Sequence, residues 1–212
     1  MTDLALLALT QWLSPAFPTG GFAYSHGLER VIARNEVTDA ATLSDWLTDI
    51  LRHGAGWQDA VLLAQALRPG ADHAHLAAIA RALAPSAERL AETLDQGTAL
   101  ARTVADITGR SIPACPLPVA LGAAAQPLGL PPQTVIALFL QAFAGNLVLV
   151  AVRHVPLGQT EGQRLLAGLA PRLAALAERA AIAGLDDLAT AALAGDLAAM
   201  EHETQDVRIF RT

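Results

Sequence analysis

Lysine is absent from the 212-residue chain; all fourteen basic residues are arginine. No P-loop lysine, Schiff-base lysine or Ser-Lys dyad can therefore operate here. Cysteine occurs once, at Cys115, which rules out an intrachain disulfide and a cysteine-rich zinc site. Its setting, PACPLP, predicts an inert, part-buried thiol. Aromatic residues make up only 4% of the chain. Charge is thin and mixed, with a formal net charge of -6 and no long run of one sign. The basic stripe of a nucleic-acid binder is missing, so no nucleic-acid partner is expected. The N-terminal MTDLALLALTQWL has no basic region and carries Asp3, which makes a poor secretion signal and points to the cytoplasm.

What is present is apolar and helix-forming. Hydrophobic residues account for 53% of the chain, mostly alanine and leucine. These residues favour helices over strands, and the length suits one domain with a sizeable core. Periodicity and stop signals predict helices over Leu4–Leu13, His26–Asn35 behind a Ser25 cap, from Thr38 or Asp39 to about His53, and over Trp57–Leu67, Asp72–Leu83 and Ser86–Thr108. Gly54 and Gly56 mark a break, and Gly97 predicts close approach of another helix. Residues 109–118 read as a proline-rich loop. Further helices are predicted over Val119–Leu128, Arg164–Ala183 and Leu185–Leu193, with a tail that begins helical. No β-alternation or internal repeat is found. The expectation is an all-α, single-domain bundle of about ten helices over residues 1–212.

Residues 133–152, QTVIALFLQAFAGNLVLVAV, carry no charge and are long enough to raise the question of a membrane span. Gln141, Gly145 and Asn146 interrupt the run, and no second span accompanies it. The stretch reads better as the buried central helix of a bundle, with Gln141 and Asn146 bonding across to neighbours or to another subunit.

No catalytic constellation stands out. The six histidines, His26, His53, His73, His75, His154 and His202, make no metal site by spacing alone. His202 sits in HETQD, which lacks the second histidine of a zinc helix. There is no G-x-S-x-G elbow, Walker loop or dinucleotide fingerprint. A helical-bundle enzyme would need a pocket of convergent titratable groups that the sequence does not reveal. Interaction surfaces are then the natural seat of function.

The segment SPAFPTGGFAYSHGLE, residues 14 to 29, concentrates backbone punctuation. Proline and glycine there fit a tight helix–helix turn. The turn does not account for Tyr24, Ser25, His26 and Glu29. Tyr24, His26 and Glu29 are expected to be exposed, and Phe22 is either a core anchor or part of the same surface. In the tail, Phe210 flanked by Arg208 and Arg211 reads either as a frayed end or as a segment that orders on a partner.

SPAFPTGGFAYSHGLE resembles the N-terminal signature of the urease accessory protein UreF family, through Pro15, Pro18, Gly20, Gly21, Phe22, Ser25, Gly27, Leu28 and Glu29. NLVLVAVRHVPLGQTEGQRLL (146–166) is similar to the family's second signature. MEHETQDVRIFRT resembles its ending, and SAERLAETLDQGTAL its middle block around Gly97. The four blocks span nearly the whole chain in order. Two places depart from the family's habit, the link Ala114-Cys115-Pro116 and the long-helix centre FLQAFAGN.

The resemblance implies an all-helical, non-catalytic homodimer. It implies a UreD/UreH-like accessory protein, a UreG-like GTPase and apo-urease as partners, with nickel delivered to apo-urease. No cofactor is bound tightly, and nickel passes in transit. The missing Walker lysine fits, since the GTPase is the partner. Gly20, Gly21, Phe22, Tyr24, Ser25, His26 and Glu29 are the expected contact surface for the GTPase. Arg208, Phe210 and Arg211, within residues 206–212, are the expected contact for the UreD-like protein. His26, His53 and Glu29 are the side chains considered for a transient nickel site.

Overall fold

The computed structural model describes residues 3–189 and 191–212. Among the described residues there are ten α-helices, short 3-10 turns and no strand, in accord with the all-α expectation. The first helix, α1, runs Asp3–Trp12 and stops before Ser14-Pro15. After a 3-10 turn at Gly21–Ala23 comes α2, Leu28–Ala33. This helix starts two residues later than predicted, because His26 and Gly27 both take the left-handed conformation, with φ of 55° and 77°. The cap position therefore falls on Gly27, which has no side chain to bond, rather than on Ser25; the Ser25 hydroxyl still accepts the Glu29 N–H at 3.2 Å.

Asp39 and Thr42 form a reciprocal capping box at the start of α3, Ala40–His53. The expected break at Gly54 separates it from α4, Ala55–Ala66. Asp72 caps α5, His73–Ala82, and Ser86 caps α6, Ala87–Thr108. A loop then leads to α7, Leu117–Ala125, and α8, Pro132–His154. The ninth helix, α9, spans Gln159–Ile182 and so begins five residues before the predicted Arg164. Gly162 explains the early start: a side chain there would stand 2.9 Å from Val152 and 3.0 Å from Val148, so its bareness lets this first turn lie on α8. The helix predicted over Leu185–Leu193 is only a 3-10 turn, Leu185–Asp187. The Asp187 carboxylate accepts the Gly184 N–H at 2.8 Å and closes that turn locally. One residue of that predicted helix, Thr190, lies outside the described residues. The last helix, α10, is Leu193–His202.

One apolar cluster runs from Leu9 to Phe210. The most enclosed helix is α4, with ten of its twelve residues buried; it lies against α3, α5, α7, α8 and α9. By length and composition α8 could cross a membrane, with a mean hydropathy of 2.3 in its most apolar window. Half of that window is buried within the bundle, where α9, α4 and α2 cover it. The room left by Gly97 is filled by a connecting segment rather than by a helix face: the Cys115 carbonyl would lie 2.0 Å from an added Cβ. Cys115 itself is buried, and burial pushes its thiol up to about 11, which keeps it unreactive.

Candidate functional site: a tail locked onto the opening segment

The opening segment is pinned from two sides. Asn146, projecting from the otherwise apolar α8, donates to the carbonyls of Gly21 at 2.9 Å and Tyr24 at 3.3 Å. This is the cross-bonding expected of that residue. On the other side, Gly27 touches α10 so closely that a Cβ would sit 2.8 Å from the Ala199 nitrogen. Between them His26 holds φ 55°. Left-handed backbone in a residue with a bulky side chain costs of order 1–3 kcal/mol and persists only where the surroundings impose it.

The C-terminal tail lies on this segment. The Glu29 carboxylate receives the N–H groups of Ile209 at 2.8 Å and Phe210 at 2.9 Å. It also faces His202 Nε2 at 3.1 Å, while His202 Nδ1 lies 2.7 Å from Glu88. His202 is wholly enclosed between these two carboxylates. Glu88 in turn accepts from Arg208 at 2.6 Å. The Arg211 N–H donates to the Ala23 carbonyl at 2.8 Å, and its guanidinium donates to the Tyr24 hydroxyl at 3.0 Å and pairs with Asp95 at 3.2 Å. Phe210 is buried edge-on to His154. Thr212 accepts from the backbone and hydroxyl of Ser25 and donates its own hydroxyl to Glu92 at 3.0 Å.

Beneath the tail sits a cluster of buried charge. Glu92, 3% exposed, pairs with Arg89, accepts from Gln96 at 3.0 Å and lies 3.3 Å from His26 Nε2. Burial, with Arg89 adding to it, holds His26 well below the ordinary imidazole value, so its ring is neutral. The carboxylate beside Nε2 keeps the ring proton on that nitrogen. Nδ1 is buried and has no hydrogen-bond partner; such an orphan acceptor costs about 1–3 kcal/mol. Burial drives Tyr24 up to about 12, with the Asp95 hydrogen bond adding to it. Burial also pushes Glu29 up, but the Phe210 N–H, His202 and the Ile209 N–H outweigh it and hold the group below its ordinary value.

Asp59 is the opposite case. Burial raises it to about 6, against the pull of Arg89 and with a further push from Glu92. Its folded value exceeds its ordinary 3.8, so the native state binds the extra proton between those limits. Stability from this group therefore falls as pH rises from about 4 to about 6. Asp59→Asn is expected to stabilise the chain by about 1–2 kcal/mol at pH 7.5 and by nothing at pH 3.5. Urea denaturation at the two pH values checks this; an equal effect at both would refute the assignment.

A sequence profile of the UreF family matches residues 37–170. Over 208 residues the chain is 64% identical to the urease accessory protein UreF of Cereibacter sphaeroides strain ATCC 17023, covering 98% of this chain and 99% of that one. It is 57% identical over 210 residues to the UreF of Paracoccus denitrificans, covering 99% and 97%. To the UreF of Roseobacter denitrificans it is 52% identical over 213 residues, covering 100% and 96%. The chain belongs to the UreF family.

The structure of this UreF-family chain corrects several sequence-based expectations about its site. Tyr24, His26 and Glu29, expected to be exposed, are buried, with exposures of 2%, 7% and 9%. Their polar groups look inward because the tail and α6 supply partners there. Phe22 is the exposed one, at 64%. Gly20 takes φ 75° at the turn, and the half-buried Gly21 offers its carbonyl to Asn146. Ser25 is wholly buried against Thr212. Arg208 and Arg211 do pair with carboxylates, but those of this same chain, Glu88 and Asp95, and Phe210 anchors into its own core. The tail is packed rather than frayed. His26, His53 and Glu29 are not gathered into one site: Glu29 is taken by the tail and His202, and His53 is exposed. Among the described residues no three His, Cys, Asp or Glu side chains converge as metal ligands.

Sequence reading missed Glu88, Glu92, Asp95 and His202 as members of the site. Three of them lie on α6, whose charged face looks solvated until the tail is placed on it. In the sequence His202 reads only as half of a zinc helix; its real partners are 114 and 173 residues away along the chain.

Proposed function

We propose that this chain is a non-catalytic accessory factor of urease maturation in the cytoplasm. In this reading it bridges a UreD/UreH-like protein and a UreG-like GTPase, acts as a homodimer, and helps deliver nickel to apo-urease. The observation that carries the proposal is the 64% identity, over nearly the full length of both chains, to a protein named urease accessory protein UreF. The lack of any lysine supports the assignment of nucleotide hydrolysis to a partner.

Reconstitution tests the reading. Apo-urease, both partners, nickel, bicarbonate and GTP are combined with or without this chain, and urea hydrolysis is read out. Activation independent of the chain overturns the proposal. Normal nickel transfer in its absence, with partner assembly still requiring it, leaves a metal-free adaptor.

The solvent-facing Phe22 is the part of the opening segment available to a partner. Phe22→Ala is expected to weaken GTPase-complex formation tenfold or more while leaving the melting temperature unchanged. Pull-down of the ternary complex together with a thermal melt checks both halves. Tyr24→Ala, by contrast, would disturb the tail as well as any interface, because Tyr24 is buried under Arg211.

A further inference from the structure

A cavity of about 100 Å³ lies between the opening segment, α6 and α8. One water needs roughly 10–15 Å³ on this measure, so the space takes a molecule of several heavy atoms. Part of its wall is apolar, with Trp12, Leu100, Phe139 and Phe143. The polar part carries an excess of unused acceptors. His26 Nδ1 is buried without a partner. The Gln96 amide uses its nitrogen on Glu92, and the Asn146 amide uses its own on Gly21 and Tyr24; no described residue donates to either oxygen. Gly21 leaves Gln96 Oε1 uncovered, since an added Cβ would stand 3.3 Å from it. The half-buried Asp59 carboxylate receives no hydrogen bond from any described residue. Two donors on the same wall are also unused: the Trp12 indole N–H, and the Thr93 O–H, whose oxygen already accepts the Leu117 N–H at 3.2 Å.

This inventory selects the ligand. An anion would face two carboxylates, Asp59 and Glu92. A cation would face the Arg89 guanidinium, which already pairs with Glu92. The remaining fit is a neutral molecule with several N–H groups for the acceptors and one carbonyl for the donors. We propose that this cavity binds a small neutral molecule of the urea or primary-amide class. Two adjacent N–H groups of urea match the two oxygens of one carboxylate, here Asp59. The carbonyl takes the Thr93 or Trp12 donor, and the flat molecule lies among aromatic rings. No existing hydrogen bond has to break. The site stands on the cavity alone; only the choice of urea within the class rests on the urease-maturation reading above. A bound molecule touching the opening segment, α6 and α8 together stabilises the folded chain and holds that segment in place.

The test titrates urea, acetamide and tetramethylurea into the purified full chain and follows its N–H resonances by NMR. Urea is expected to saturate one site with a dissociation constant of about 0.1–10 mM, the weak range open to a ligand of so few heavy atoms. The shifts should centre on the Trp12 indole and the side-chain amides of Gln96 and Asn146. Acetamide should bind within about tenfold of urea, and tetramethylurea, which has no N–H, should not bind. Asp59→Asn turns one acceptor oxygen into a donor and should weaken urea binding about fivefold or more. Ala142→Leu places a larger side chain on the cavity wall and should abolish binding. Both variants are judged with the helical circular dichroism spectrum native. Shifts that never saturate and spread over the surface, equal binding of tetramethylurea, or unchanged affinity in both folded variants overturns the proposal. Guanidinium or ammonium binding tighter than urea overturns it as well. Saturable urea binding by a chain that urease reconstitution does not need would sink the maturation reading and leave the site standing.

Discussion

Glu29→Ala is expected to lower the unfolding free energy by about 3–5 kcal/mol, the usual cost of removing one partner from a buried ionic network, and to free the tail. Glu29 satisfies two tail N–H groups and one nitrogen of His202 at once. Alanine leaves all three facing an apolar void. His202 then retains Glu88 alone, and Arg208 shares that carboxylate. Trypsin reads the outcome directly, since Arg208 and Arg211 lie in the released segment. Cleavage there should rise steeply in the variant while the rest of the bundle stays resistant. A tail as protected as in the native chain would show that Phe210 and Thr212 hold it without Glu29.

The same carboxylate sets an acid limit on the tail. Its folded value lies below its ordinary 4.5. The stabilisation is therefore complete above about pH 4.5 and is lost as pH falls through the folded value. Tail release should appear below the ordinary carboxylate range, and Glu29→Ala should abolish that step.

Gly97→Ala is expected to destabilise the chain by about 3 kcal/mol, at the upper end of overpacking costs. The new methyl would meet three backbone atoms: the Cys115 carbonyl at 2.0 Å, the Leu117 nitrogen at 2.7 Å and the Pro116 carbon at 2.8 Å. Backbone cannot swing aside as a side chain would. The linker must lift, and with it the bond from the Leu117 N–H to the Thr93 hydroxyl that starts α7. The better helix propensity of alanine recovers only about 1 kcal/mol. Gly168 on α9 provides the contrast, because nothing lies within 4 Å of its added Cβ. Gly168→Ala should stabilise by up to about 1 kcal/mol. Urea denaturation of both variants checks the pair; equal effects would mean that the linker yields without cost.

Much of the fold was legible. Asp39, Asp72 and Ser86 begin their helices where cap chemistry predicts, since each side chain bonds an N–H three residues on. The Gly54 break and the long apolar α8 also followed from local pattern. Legibility failed where backbone conformation answers to distant contacts. The left-handed pair His26-Gly27 follows from α10 pressing on Gly27, and the early start of α9 from Gly162 meeting α8. Neither contact leaves a local mark in the sequence.

The site was less legible than the fold. Its opening segment and its tail were both singled out, as separate surfaces turned towards partners. The structure joins them into one internal device, with Tyr24, Ser25 and Glu29 turned inwards. Residue types suggested which groups were chemically able, but not which of them had already met.

By itself the sequence determined an alanine–leucine helical protein with no lysine chemistry and no intrachain disulfide. Those conclusions depend on composition and on short-range helix energetics, which act over three or four residues. Only the tertiary structure decided that Glu29 and His202 hold the tail, that Phe22 alone of the opening aromatics faces solvent, and that His26 meets Glu92. Those pairings join residues dozens to nearly two hundred positions apart. Burial turns each into a strong interaction by removing the water that would otherwise satisfy the same groups.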